Sequence, residues 1–207
     1  MTRAPLRLAT PLLAAVVLLA ACSSTPPQES RYQLDTPYPA AAAPSAPRFN
    51  DTLKVMLPNA PGELGGSRFI YRETDQRYTR DPYRGYTSPL PFLLADRITD
   101  WIGRSGLFSH VIPSRSPWPS RYVLESDVDA LYVDLRPGQP RTAHVQLGFR
   151  VRDTTDNRFV YDGQISASAP LAEPVSGDSI ATAQAQALTQ ALSQLETALR
   201  SAPVSAQ

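Results

Sequence analysis

The stretch 143-AHVQLGFRVR-152 alternates apolar and polar side chains over its whole length. Alternation at every second residue predicts a β-strand with one buried face and one face open to water. Turn sequences stand on both sides of the stretch, at 137–140 and at 154–157. We therefore expect an antiparallel meander with this strand at its centre. Its buried side chains are predicted to be Ala143, Val145, Leu147, Phe149 and Val151.

Further strand candidates lie on both sides of this central strand. Tyr122–Leu135 also alternates, but its apolar side chains change phase after Ala130, and a slip of one residue indicates either a β-bulge or a strand that leaves the covered part of the sheet. Phe159–Ile165 repeats the alternation on the other side. Shorter apolar runs predict additional strands at 52–57, 68–72 and 107–112.

Two segments have helical periodicity instead. An apolar stripe runs from Leu90 to Ile102, after Pro89 and before Gly106, and it includes Trp101, which we expect in the core. A second stripe occupies about 179–201 and follows a polar start at 176–178. The pattern predicts a two-layer α+β sandwich, with a mainly antiparallel sheet of about five or six strands and two helices on one face.

The amino terminus has the features of an export signal. A cationic start with Arg3 and Arg7 precedes an apolar run at 12–21, and that run ends at Cys22, the only cysteine in 207 residues. A positive region, a hydrophobic segment of about 7 to 15 residues and small residues at the cut define a secretory signal peptide. The run is shorter than the roughly 17 residues that a membrane-spanning helix needs. We predict a signal peptide at 1–21, cleaved between Ala21 and Cys22.

The last residues of this signal, Leu19-Ala20-Ala21-Cys22, resemble the bacterial lipobox, in which the cysteine thiol receives a diacylglyceryl group. Two or three acyl chains hold a protein to a membrane much better than one chain does. The alternative is an ordinary signal with a chance cysteine after it, although a lone thiol is a liability in an oxidising compartment. Ser23 stands where lipoproteins retained in the inner membrane of many Gram-negative bacteria carry Asp. The resemblance therefore implies lipidation at Cys22 and an outer-membrane anchor facing the periplasm.

Residues 22–48 are rich in Pro, Ala and Ser and have few large apolar side chains. Such a stretch cannot bury enough surface to offset its ordering entropy. We predict a tether with a coil reach of roughly 25 to 30 Å and an extended reach of up to about 80 Å. Within it, the pair Tyr32 and Leu34 suits an edge strand. The folded domain is predicted at 49–202, with a short tail at 203–207.

Tyrosine and arginine alternate in the polar segment between Glu73 and Ser88. These side chains can stack on bases or sugars. The chain has 20 basic and 19 acidic residues, and the signal removes two of the basic ones, so no strong field attracts nucleic acid. We expect a surface loop or edge strand here, and protein contact is its better functional interpretation because Tyr and Arg are common interface anchors. The candidate partner-binding residues are Tyr78, Tyr83, Tyr86 and Trp118, the last in a loop between prolines.

The sequence offers little reactive chemistry. His110 and His144 are each alone in a predicted strand, so neither forms a metal-ligand pair, and no phosphate-binding glycine loop is present. Asp127 and Asp129 on one strand, with Asp134 nearby, suit calcium binding or acid–base catalysis, but they lie where a solvated face is expected. We therefore predict a binding or assembly component with no cofactor, no metal and no enzymatic activity.

Several segments, in this order, resemble the ABC-type transport auxiliary lipoprotein family. They are Tyr32–Asp35, Gly66–Arg72, Ser105–Val111, Arg121–Val128 and the strands that follow to Ile165. The resemblance covers nearly the whole mature chain. It implies a non-catalytic outer-membrane lipoprotein that works with an MCE-domain protein and an inner-membrane ABC permease and ATPase. Such systems move lipids or other hydrophobic molecules between the membranes, and some family members self-assemble, so a homo-oligomer is expected.

One alternative shares the same anchor, tether and small domain. Lipoproteins that activate cell-wall synthesis or take part in barrel assembly have these features too, because fold does not determine function. A hydrolase that uses Asp127 or Asp129 is a third hypothesis.

Overall fold

The structure, a computed structural model, describes residues 28–39 and 46–203. Eight strands and two helices occur in this part of the chain. They are β1 (Ser30–Tyr32), β2 (Phe49–Val55), β3 (Arg68–Arg72), β4 (Tyr78–Tyr86), α1 (Leu90–Ser105), β5 (Phe108–Pro113), β6 (Tyr122–Asp134), β7 (Thr142–Asp153), β8 (Arg158–Pro170) and α2 (Gly177–Ser201). A 3-10 turn at Gly62–Gly65 precedes β3. Within the described ranges, no helix is both long enough and apolar enough to cross a bilayer.

The predicted meander is present as β6, β7 and β8, which pair antiparallel in that order. The five apolar side chains of β7 are fully buried, and its polar side chains lie on the opposite face. The register between β6 and β7 shifts between Val128 and Ala130, so the β-bulge is the correct one of the two interpretations of the phase change. The alternating pattern therefore determines both faces of this half of the sheet.

The strand count and the antiparallel prediction need correction. The sheet has eight strands, and four of its strand pairs are parallel: β1 with β4, β2 with β5, β2 with β6, and β3 with β6. Parallel neighbours need a long crossover connection, and β2 and its parallel neighbour β5 are accordingly separated in the chain by β3, β4 and α1. Alternation along one strand shows which face is buried but carries no information about the direction of its neighbour. The short β1 and the polar β4 account for the strands that the count missed.

Both helices cover the apolar face of the sheet, so the two-layer α+β architecture is present. Helix α2 begins with a capping box, in which the Ser176 hydroxyl accepts from the Ser179 N–H at 3.1 Å and the Ser179 hydroxyl accepts from the Ser176 N–H at 2.8 Å. Helix α1 ends at Gly106, whose φ of 65° lies in the left-handed region that favours glycine. Trp101 is 2% exposed, so the prediction that it belongs to the core is confirmed.

The segment after β1 runs between the two helices. Leu34 is 1% exposed, and Asp35 pairs with Arg97 of α1 at 3.3 Å. The Tyr38 ring meets the Trp101 ring edge-on at 4.8 Å, and its hydroxyl donates to Glu196 of α2 at 3.1 Å. Residues 30–39, which the sequence analysis assigned to the tether, are therefore bound to the domain through one strand and both helices.

Glu196 joins the elements of this contact, and its removal should destabilise the domain. It accepts hydrogen bonds from the Trp101 indole N–H at 3.0 Å and from the Tyr38 hydroxyl, and it pairs with Arg200. A donor left without a partner costs about 1 to 3 kcal/mol, so we expect Glu196→Ala to lower the free energy of unfolding by about 2 to 3 kcal/mol. In thermal unfolding the midpoint should fall by about 5 to 10 °C.

Glu173→Ala is the matched control for this prediction. Its exposed pair with Arg141, at 2.9 Å, is of a kind that contributes less than about 1 kcal/mol. Equal midpoints for the two variants would contradict the role assigned to Glu196.

Candidate interaction surfaces

The segment rich in tyrosine and arginine forms strand β4, between β1 and β3. Its three tyrosines have different environments. Tyr78 is 49% exposed and Tyr83 is 43% exposed, so both remain available for contact. Tyr86 is 1% exposed, and its ring packs edge-on against Phe69 at 5.1 Å. The structure therefore places Tyr86 in the core, where it offers no surface to a partner.

Strand β4 carries a large, four-residue bulge at Asp81–Arg84, called here the β4 bulge. Arg68 pairs with Gly85, but Ile70 pairs with Arg80, so four residues of β4 stand opposite one residue of β3. Extra residues on one strand leave the ladder and project from it. The bulge exposes Pro82, Tyr83 and Arg84 at the surface.

Asp81 holds the β4 bulge from inside. It is 7% exposed and accepts hydrogen bonds from the Tyr71 hydroxyl at 2.5 Å and from the N–H groups of Tyr83 and Arg84 at 2.8 and 2.9 Å. Burial by itself would raise the pKa of Asp81, but the Tyr71 and backbone hydrogen bonds outweigh it and lower that pKa. Burial, and then the bond to Asp81, raises the pKa of Tyr71. The bulge is therefore held by a charged carboxylate.

Gly85 follows the bulge at a close approach of two backbones. A Cβ atom at this position would lie 2.2 Å from the Ser67 carbonyl oxygen. That oxygen accepts a hydrogen bond from the Tyr86 N–H at 2.6 Å. The lack of a side chain at Gly85 lets β4 return to β3 immediately after the bulge.

Tyr78 belongs to a row of rings on the sheet face opposite the helices. Its ring meets that of Tyr132 at 5.4 Å, and Tyr132 meets His144 at 5.1 Å. The His144 Nδ1 lies 3.0 Å from the Ser168 hydroxyl, so the row crosses from β4 to β8. Burial lowers the pKa of His144, which is therefore neutral at pH 7. Tyr132 was missed by the sequence analysis because the phase change in β6 obscured which face it occupies.

Trp118 lies away from the β4 tyrosines. It is 71% exposed and lies just before the start of β6. Strand β4 lies near the other end of β6, because its neighbour β3 pairs with the last two residues of β6. The 13 residues of β6 span about 40 Å.

Other exposed apolar side chains occur near the start of β6. Met56 is 37% exposed, and its N–H donates to the Leu124 carbonyl at 2.9 Å. Phe159 of β8 is 49% exposed and pairs with Arg152 of β7. Arg152 also pairs with Val123, the second residue of β6. We call Trp118, Met56 and Phe159 the distal apolar group.

The aspartates considered for catalysis have partners on the open face of the sheet. Asp127 accepts from Asn59 at 2.9 Å and from Arg150 at 2.7 Å, and these hydrogen bonds lower its pKa. Asp129 accepts from Gln164 at 2.9 Å. Asp134 pairs with Arg136, which lowers the pKa of Asp134. Among the described residues, no three His, Cys, Asp or Glu side chains converge as metal ligands do.

The predicted cleavage and lipidation residues, Ala21 and Cys22, lie outside the described residues. Their roles remain predictions from the sequence. The first described residue, Gln28, follows Cys22 by six positions.

Comparison with known proteins gives one family and a consistent fold. A family model described as the ABC-type transport auxiliary lipoprotein component matches residues 32–199. A crystal structure of a protein from Xanthomonas campestris is similar with a TM-score of 0.69 at 22% identity, covering 81% of this chain and 92% of that one. A crystal structure of an uncharacterized protein has a TM-score of 0.62 at 16% identity, covering 83% and 98%. No curated protein matches the sequence.

Proposed function

Since the chain belongs to the ABC-type transport auxiliary lipoprotein family, we propose that it is a non-catalytic lipoprotein of the outer membrane that docks an MCE and ABC transport system. The system would move lipids or other hydrophobic molecules between the inner and outer membranes. The observation that carries the proposal is the family match at 32–199, which begins ten positions after Cys22, the last residue of the lipobox at 19–22. Acyl chains on Cys22 fix the protein to the outer membrane, where the domain faces the periplasm.

The distal apolar group is the proposed contact for the MCE-domain protein. Large aromatic side chains are the most frequent anchors of protein interfaces, and Trp118 is the most exposed large apolar side chain among the described residues. Tyr78, in the ring row of the open sheet face, is a second proposed contact. Copies of the chain are proposed to assemble with each other, which would present several such groups to one partner.

Capture from envelope extracts tests the docking role. The intact lipoprotein should recover an MCE-domain protein, identified by mass spectrometry, together with its permease and ATPase. Trp118→Ala should lower that recovery about tenfold, because losing an interface anchor costs at least about 1.4 kcal/mol. The matched control is Phe92→Ala, which removes a ring that is 55% exposed on α1. Recovery of a cell-wall synthase or barrel protein in place of the MCE protein would contradict the proposal.

A further inference from the structure

Docking of β1 shortens the free part of the tether. The tether predicted from the sequence extends from Cys22 to residue 48, with a reach of up to about 80 Å. Because Ser30–Tyr32 pairs with β4, the domain begins about twenty residues earlier than that. Only six positions separate Cys22 from Gln28, and a fully extended chain of that length spans at most about 20 Å. A lipid on Cys22 would therefore hold the domain against the bilayer.

The position where this chain leaves the domain determines which surface is held there. Ser30 pairs with Arg84, the last residue of the β4 bulge. Glu29 forms ion pairs with Arg31, at 2.8 Å, and with Arg68, which fix the exit beside the bulge. Since β1 is parallel to β4, the chain before Ser30 heads toward the start of β4 and away from the distal apolar group.

The exposed side chains around this exit suit a lipid headgroup layer. Tyr83 presents an apolar ring with a polar hydroxyl at its tip. Arg80 and Arg84 have long aliphatic stems with charged ends, and their side chains are 62% and 44% exposed. Tyrosine and arginine are favoured at membrane interfaces because their apolar parts reach the acyl boundary while their polar ends stay among the headgroups. The pair of Arg80 with Glu63 is exposed on both sides, so exchange of that carboxylate for a lipid phosphate costs little.

We propose that the β4 bulge, with the neighbouring Arg80, rests on the phospholipid headgroups of the leaflet that carries the Cys22 lipid. The inference rests on the proposed function for the anchor, and it assigns Tyr83 to the membrane instead of to a protein partner. It also orients the domain, because the distal apolar group then points away from the bilayer toward the periplasmic space. The acyl anchor and the β4 bulge are then two membrane contacts, joined by the short chain between Cys22 and Ser30.

Fluorescence quenching in vesicles tests this orientation. The full-length lipoprotein, processed in cells and purified, is reconstituted into vesicles of phosphatidylethanolamine and phosphatidylglycerol that contain a lipid with a nitroxide on its headgroup. Tyr83→Cys supplies one site for an environment-sensitive dye, since Cys22, the only native cysteine, is blocked by its lipid. Arg84→Cys is a second bulge position, and Trp118→Cys and Phe92→Cys are matched exposed controls.

We expect quenching at positions 83 and 84 to be several-fold greater than at 118 and 92. Equal quenching at all four positions, or none at 83 and 84 in protein that floats with the vesicles, would overturn the membrane contact and leave the docking role intact. Shielding of position 83 only after an envelope extract is added would assign the bulge to a protein partner and also overturn it. Failure of the protein to float would overturn the anchor and the inference together.

Discussion

A methyl group at Gly177 should release β1 from the sheet. A Cβ atom at this position, in the first turn of α2, would lie 1.9 Å from the Tyr32 hydroxyl oxygen and 2.4 Å from the ring carbon that carries it. The Tyr32 ring is also packed on Phe69 at 5.4 Å, so a shift of the ring away from the added methyl group would disturb this contact beside the β1 pairing. We expect Gly177→Ala to cost about 3 kcal/mol, which exceeds what a three-residue strand at the sheet edge can retain.

Proteolysis measures this release directly. Arg31 lies within β1, so trypsin should cut after it many times faster in Gly177→Ala than in the parent protein. The dye at position 83 should also lose its quenching, because the freed tether becomes long enough to carry the bulge away from the bilayer. Gly103→Ala is the matched control, since a Cβ there meets nothing closer than 4.0 Å and alanine favours the helix. Unchanged cleavage after Arg31 would contradict the contact between Tyr32 and Gly177.

Asp81→Ala should collapse the β4 bulge. The substitution removes the acceptor of the Tyr71 hydroxyl and of the Tyr83 and Arg84 N–H groups. Hydrogen bonds to a charged acceptor contribute about 1.5 to 3 kcal/mol each, but the bulge can rehydrate in part, so we expect a loss of about 3 kcal/mol in the free energy of unfolding. Tyr71→Phe, which removes only one of the three donors, should cost about 1 kcal/mol. Equal losses in the two variants would show that the backbone N–H groups find other acceptors.

The same carboxylate predicts a dependence on pH. Because the pKa of Asp81 is lower in the folded protein than in the unfolded chain, its stabilising contribution is complete above its unfolded pKa, near about 4. That contribution is lost as the pH falls through the lower folded value. Denaturant titrations should therefore separate the parent and Asp81→Ala at pH 7 and bring them together toward about pH 2. A constant difference across that range would contradict a charged Asp81.

The sequence predicts those parts of the fold in which a single strand or helix shows its buried face through its own side-chain pattern. The faces of β7, the bulge in β6 and both helices follow from side-chain periodicity, since burial of one face imposes it. Strand β4 lacks that periodicity because its bulge breaks the alternation and because its exposed Tyr and Arg side chains resemble a loop. The Asp81-Pro82 pair was the available signal, since Asp before Pro favours a local turn held by the carboxylate.

The candidate site was only partly predictable for a related reason. Exposure of Tyr78, Tyr83 and Trp118 agrees with what a surface contact needs, but Tyr86 is buried by Phe69, a residue seventeen positions away in the chain. Likewise, Tyr32 and Leu34 suggested an edge strand in the tether. The space for the Tyr32 ring, however, is provided by Gly177 at the start of α2, near the other end of the sequence. Contacts of this kind are set by the packing of distant elements, which local patterns do not contain.

The parallel pairing of β1 with β4 has a mechanical consequence. Tension on the acyl anchor would act along the strand axis, in shear, so the hydrogen bonds of the pair would share the load instead of opening one at a time. The chain that continues from β1 passes the force to Arg97 and Trp101 of α1 and to Glu196 of α2. A partner that pulls on the opposite end of the domain would therefore place both the sheet and the helices under load, while the lipid stays anchored in the membrane.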